Sequence, residues 1–282
     1  MRAEWVDYPA VINGKEHTVV GNLRVLAGIE SPQLDNQREL LVYLPPSYNK
    51  GNRRYPVIYL HDGQNLFDAA TSFAGEWGVD ETMEALSREG IEAIVAGIPN
   101  SGVDRLDEYS PFRDPTRGGG RGDLYLSFII HTLKPLVDAS FRTLSGRSHT
   151  GIMGSSMGGL ISLYAIFRHP EIFGFAGAMS PALWFAKGAI YDYIQEAPFS
   201  AGRIYMDAGT REYGEGQHWM SLPWRSRRYY AGVRRMNRLL VKKGYRPRRD
   251  LLYVEEKWAN HEEAAWRRRL PQAIRFLLGQ SI

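Results

Sequence analysis

Six short runs of apolar and β-branched residues, at 55–60, 91–98, 149–153, 173–179, 203–206 and 251–254, recur along this chain, each separated from the next by a stretch able to hold a helix. Runs that are apolar end to end suit strands buried on both faces. Strand and helix in alternation predict an α/β architecture with a mostly parallel central sheet and helices on both faces. The first 45 residues differ: 17–26 and 38–44 read as antiparallel strands joined across a loop rich in Gly, Ser, Pro, Asp and Asn. Helices are expected at 77–89, at 123–139 with Asp123 as N-cap and a kink at Pro135, at 158–168 and at 261–278. The Gly/Arg stretch 117–122 reads as a mobile loop, and with no repeat or linker the chain is expected to form one domain over 1–282.

At 282 residues, 44% hydrophobic and 23% charged, the chain can bury a sizeable core, which excludes a disordered or rod-like protein. The absence of cysteine excludes disulfides, cysteine-zinc sites, iron–sulfur clusters and thiol nucleophiles. No basic, apolar leader opens the sequence and no run reaches the ~20 apolar residues of a bilayer crossing, so a cytoplasmic protein with no membrane partner is expected. The net charge of +4 is uneven, because residues 222–249 carry eleven Lys and Arg and no acid. Tyr229, Val233, Met236 and Leu240 recur there at helical spacing, so the block reads as an amphipathic surface helix with a solvated basic face rather than a nucleic-acid site.

Chemistry concentrates at Gly154-Ser-Ser156-Met-Gly158, a G-x-S-x-G with a strand before it and a helix after it. That context lifts a serine hydroxyl clear of a sheet on a strained turn and marks Ser156 as a nucleophile. A serine needs a base within hydrogen-bond reach. Of seven histidines, His261 follows the last strand, where the third member of a Ser, acid, His chain order belongs, and it is expected to open the final helix. His218 is the competitor. The acid falls between them, at Glu212 or Asp207. Glu212 is preferred because it lies past the turn and is freer to reach His261, whereas Asp207 stays beside its strand. Two backbone N–H donors must hold an oxyanion, and the N–H of Met157, after the nucleophile, and that of Gln64, in the loop leaving 55–60, are the candidates. His61 and Asp62 read as turn-stabilising residues.

The chain resembles an esterase family of the α/β-hydrolases that includes enterochelin and other siderophore esterases, feruloyl and acetyl-xylan esterases, S-formylglutathione hydrolase and the mycolyltransferases. The resemblance rests on segments at 41–48, 55–64, 133–143, 154–159, 180–184, 209–212 and 261–266, and spans about residues 38–278. It implies the α/β-hydrolase fold, Ser156 as nucleophile, Glu212 after Gly-Thr-Arg as acid and His261 as base; such a mechanism needs no metal, and no cofactor is expected. The missing cysteine sets the chain apart from S-formylglutathione hydrolases.

The expected reaction is hydrolysis of a small-molecule carboxylic ester through an acyl-enzyme. The alternatives are acyl transfer on the same triad or a binding protein using the basic surface. Trp184, Trp219, Trp224 and Phe67 are candidate pocket aromatics, and Arg105 a candidate contact for an anionic group, unless Asp107 or Glu108 pairs with it.

Overall fold

The computed structural model describes residues 4–8, 16–213 and 222–279. Its strands are β1 (Val6–Asp7), β2 (Asn22–Ser31), β3 (Asn36–Leu44), β4 (Val57–His61), β5 (Ile94–Ile98), β6 (Thr150–Ser155), β7 (Phe175–Met179), β8 (Arg203–Gly209) and β9 (Leu251–Glu256). They form one sheet in the order β1-β2-β3-β5-β4-β6-β7-β8-β9. Pairings from β1 to β5 through β2 and β3 are antiparallel, and the remaining neighbours run parallel.

Alternation along the buried strands feeds two separate cores. Val57 and Tyr59 of β4 and Ile204 and Met206 of β8 face one core, while Ile58, Leu60 and Tyr205 face the other. The first core is closed by α2 (Gly122–Phe128), α3 (Lys134–Ser140), α4 (Met157–Arg168), α5 (Ala189–Glu196) and α6 (Leu222–Lys243). The second is closed by α1 (Val79–Ser87) and α7 (Glu263–Leu278), through Met83, Leu86, Trp266, Leu270 and Ile274. This is the mostly parallel α/β sheet with antiparallel N-terminal strands that the alternation predicts. The basic block folds as expected, with Tyr229, Val233, Met236 and Leu240 of α6 buried. Among the described residues no helix is long and apolar enough to cross a membrane.

Several local expectations need correction. The first long strand starts at Asn22 rather than residue 17 and runs on to Ser31, because a bulge between Leu26 and Ile29 absorbs Ala27 and Gly28 without ending the ladder. Asp123 is not an N-cap. It lies in the first turn of α2 and binds the Tyr164 hydroxyl and Arg168. The kink at Pro135 takes the form of a π-helical turn, Ile129–Leu133, between α2 and α3, where the proline ring and its missing N–H disrupt the regular ladder. The Gly/Arg stretch is an ordered turn: Asp114 bridges to Gly118, Gly119 donates to Asp107 and Gly120 to Ser110. Gly119 has φ 93, and a Cβ there would come within 2.3 Å of the Phe112 carbonyl oxygen, so the glycines serve conformation rather than mobility.

In the first turn of α1, Asp80 is fully buried and accepts the Val20 N–H at 2.7 Å, tying the N-terminal segment to the body. Burial first, and then the hydrogen bond with Glu81, lifts its pKa to about 8. The folded state therefore keeps a proton that the unfolded chain releases from about pH 4 upward, so stability from this group is lost as pH rises towards 8. Asp80→Asn should flatten that dependence: melting curves at about pH 5 and about pH 9 should differ by several degrees less than in the wild type. Equal dependence in both proteins would contradict the assignment.

Candidate active site

Strand order reverses at β4, which has β5 on one side and β6 on the other, and the crevice beyond the carboxyl ends of strands at such a switch is where α/β folds place their sites. The segment Gly63–Asn65 follows β4, Ser156 follows β6, Ser180 follows β7, Glu212 follows β8 and His261 follows β9. Every sequence-predicted site residue among these belongs to this one edge of the sheet.

Ser156 caps α4 with φ 55 and ψ −118, a left-handed backbone that non-glycine residues seldom adopt. Two hydrogen bonds hold it there, from its N–H to the Met179 carbonyl and from the Ala182 N–H to its own carbonyl, both 2.9 Å. The turn needs Gly154, since a Cβ at that position would lie 2.8 Å from the His61 ring and 3.0 Å from the Gly158 backbone. Behind it, His61 is buried with Nδ1 2.8 Å from the Tyr125 hydroxyl, and desolvation pushes its pKa down to about 3, so it stays neutral.

His261 lies two residues before α7 rather than opening it, with Glu262 as the N-cap. That places the imidazole in the loop, where Nδ1 meets Glu212 Oε2 at 2.6 Å. An ionised carboxylate only accepts, so Nδ1 carries the hydrogen and Nε2 keeps its lone pair. Edge-on contacts to Trp266, 5.0 Å between centroids, and Tyr229, 5.5 Å, hold the ring. Glu212 is itself buried, its Oε1 taking the Gly209 N–H and the Ser180 hydroxyl.

Asp207 lies inside β8 and points elsewhere. Its carboxylate takes the Ser180 N–H at 2.8 Å and the Tyr205 hydroxyl at 3.0 Å and lies 2.8 Å from Arg269 Nε. Burial raises its pKa, against the pull of Arg269. Ser180, Tyr229 and Arg269 were missed from the sequence. Arg269 did leave a signal, an arginine three residues after Trp266 on the helix face that Leu270 and Ala273 bury.

The N–H groups of Met157 and Gln64 both fall in the first turn of a helical segment, where amides have no intrahelical acceptor. Gln64 is fixed from the side by its Oε1 accepting the Asn100 N–H at 3.2 Å. Before it, Asp62 has φ 58 and is gripped by two 2.7 Å bonds from Arg105 and one from Asn100 Nδ2. Burial would raise the Asp62 pKa, but Arg105 outweighs it and holds the carboxyl below its ordinary value. Arg105 thus pairs with Asp62, not with Asp107 or Glu108, because Asp107 serves Gly119 and Glu108 is paired with Arg38.

Of the aromatic candidates, Phe67 is core, packed against Gly97. Trp224 is exposed, and Trp184 is 41% exposed with the Arg117 guanidinium 4.9 Å from its ring centre. Trp219 and His218 lie outside the described residues. Away from the serine, Glu76, Asp80 and Glu81 bring carboxylate oxygens within 4.8 Å of one another, as a cation site would, and Arg267 already pairs with Glu76 and Glu81 there.

Comparison with known proteins gives the family. The uncharacterized protein YbbA of Bacillus subtilis (strain 168) is 27% identical over 262 residues, 91% of this chain and 98% of that protein. The siderophore triacetylfusarinine C esterase of Aspergillus fumigatus is 34% identical over 141 residues, 48% of this chain and 46% of its own. Among solved structures, an IroE-like serine hydrolase from Shewanella oneidensis matches with a TM-score of 0.72 at 20% identity, over 91% of this chain and 80% of the other. The siderophore hydrolase EstA from Aspergillus nidulans also reaches 0.72, at 21% identity, over 93% and 96%. The family model described as Putative esterase matches residues 31–277. With that match over most of its length and an α/β-hydrolase sheet beneath it, the chain belongs to this esterase family and is a carboxylic ester hydrolase.

Proposed function

We propose that ester cleavage runs through an acyl-enzyme on a Ser156, His261, Glu212 triad, and that residues 1–282 work as one domain. The observation that carries the reading is the 2.6 Å contact between His261 Nδ1 and Glu212 Oε2, made in the segments after β9 and β8, at the carboxyl end of the sheet where Ser156 sits on its left-handed elbow after β6. In this reading His261 Nε2 takes the Ser156 proton as Oγ attacks the ester carbonyl, then returns it to the departing alcohol. The N–H groups of Met157 and Gln64 receive the oxyanion. Water then attacks the acyl group with His261 again as base, freeing the acid and restoring Ser156. Glu212 fixes the imidazole and stabilises its protonated form.

For the substrate, the named relatives support a small-molecule ester, and the half-exposed Trp184 is the proposed contact for its organic body. Arg105, committed along one edge to Asp62, has its Nη1 end left for an anionic group. Trp219 is proposed on its sequence position alone.

Ser156→Ala should lower kcat by a factor on the order of 10⁶ with little change in melting temperature, since deleting the nucleophile removes the proton transfer as well. Hydrolysis of p-nitrophenyl, feruloyl, acetyl-sugar and trilactone esters measures it, and more than about a tenth of the wild-type rate in the variant would overturn the assignment.

The two acids should part company. Glu212→Gln should cost roughly 10⁴ in kcat, by analogy with other triads. Asp207→Asn should cost far less in rate per folded molecule and more in melting temperature, because it removes one of the two carboxylates that pair with the buried Arg269, leaving only Glu256. Steady-state kinetics alongside thermal melts separate the two, and the reverse ranking would give Asp207 the role.

A further inference from the structure

Ser180 is the point where four elements around the site converge. It is fully buried and sits at φ 38, and each of its polar atoms answers to a different partner. Its N–H donates to Asp207 Oδ1 of β8 at 2.8 Å, and its carbonyl accepts the Tyr229 hydroxyl of α6 at 2.6 Å. Its Oγ lies 2.7 Å from Glu212 Oε1 and 3.1 Å from Arg269 Nη2 of α7.

Donor chemistry gives these last two contacts a direction. A guanidinium can only donate, so the hydroxyl oxygen accepts from Arg269. The hydroxyl has a single proton, and a carboxylate can only accept, so that proton goes to Glu212 Oε1. Oε1 also takes the Gly209 N–H, which leaves Oε2 as the oxygen turned to His261. Arg269 cannot swing away: it is 4% exposed, with Nε 2.8 Å from Asp207 Oδ2 and Nη1 2.7 Å from Glu256 Oε2.

We propose that Ser180 is a positioning residue, oriented by Arg269, whose hydroxyl fixes the rotamer of Glu212 and through it the His261 tautomer that leaves Nε2 free to act as base. The inference rests on the triad reading above and adds an obligatory direction of donation, from Arg269 through the Ser180 hydroxyl to Glu212 Oε1, while Oε2 of the same carboxylate accepts from the imidazole. It also gives the two candidate acids separate duties, Glu212 towards the histidine and Asp207 towards the anchor.

The test pairs kinetics with proton NMR of the full chain, reading the low-field signal of a histidine N–H bonded to a carboxylate. The variants are Ser180→Gly, Ser180→Ala, Arg269→Lys and Glu212→Gln. Glycine tolerates the positive φ, so Ser180→Gly removes the hydroxyl without adding strain and serves if the alanine variant folds poorly. The wild type should show the low-field signal and Glu212→Gln should lose it. Both Ser180 variants should shift or broaden it and lower kcat by about 10- to 100-fold, with KM within about twofold, as expected for a misplaced rather than missing group. Arg269→Lys, which keeps charge beside Asp207 but gives up the fork that reaches Ser180, should move both readouts the same way. A folded Ser180→Gly enzyme with the wild-type signal and wild-type kcat would overturn the proposal while leaving the triad intact. A wild-type spectrum that Glu212→Gln does not alter would instead remove the triad reading, and the proposal with it.

Discussion

The left-handed backbone at Ser156 is the constraint around which the rest is arranged. A non-glycine residue in such a conformation costs on the order of 1–3 kcal/mol and persists only where its surroundings over-determine it. Here they do so from both sides, through the Met179 carbonyl and the Ala182 N–H, with α4 buried nearly all round beneath it. Close approach of β6 to α4 is possible because Gly154 and Gly158 leave room for the His61 ring. The same crowding keeps His61 dry and neutral, so this second histidine adds no charge of its own beneath the turn.

How much of this the sequence discloses depends on whether a residue's role is written in local periodicity or in long-range contact. Apolar runs give β4 to β9 within a few residues, since β4 to β7 are buried throughout and have few polar positions to confuse the pattern, and β8 and β9 each hold an apolar run, at 204–206 and 251–254. The elbow is legible because a strand, a glycine-flanked serine and a helix are neighbours in the chain. Glu212 and His261 follow from chain order, and their contact is a matter of where two loops meet. Illegible are the features that depend on a partner far away: the bulge that carries β2 past Gly28, the ordered Gly/Arg turn closed by Asp107 and Ser110, and the Asp62 partner of Arg105. Ser180 looks from the sequence like a loop residue before a proline; only the fold brings Asp207, Tyr229, Glu212 and Arg269 to it.

Charge is distributed with the same division between surface and site. Most cations of α6 lie on its outer face, and several rest on aromatic rings, Arg228 on Trp224, Arg234 on Tyr230 and Arg235 on Tyr191. The inner face of that helix delivers a neutral group, the Tyr229 hydroxyl, to the active-site loop. Several buried charges are paired: Arg269 with Asp207 and Glu256, Arg105 with Asp62, Arg38 with Glu108. Breaking one member of such a pair is far more costly than deleting a surface charge, because the other is left without compensation.

The position of α7 has a consequence for synthesis. Trp266, which meets the His261 ring, and Arg269, which reaches Ser180, both lie on this helix, more than a hundred residues after Ser156. On the proposed triad, a polypeptide made from the N-terminus has its serine long before the helix that braces its base. If the proposed triad holds, a fragment truncated ahead of residue 263 lacks both supports, and esterase activity on the ribosome waits for the C-terminal helix to emerge and dock against β7, β8 and α1.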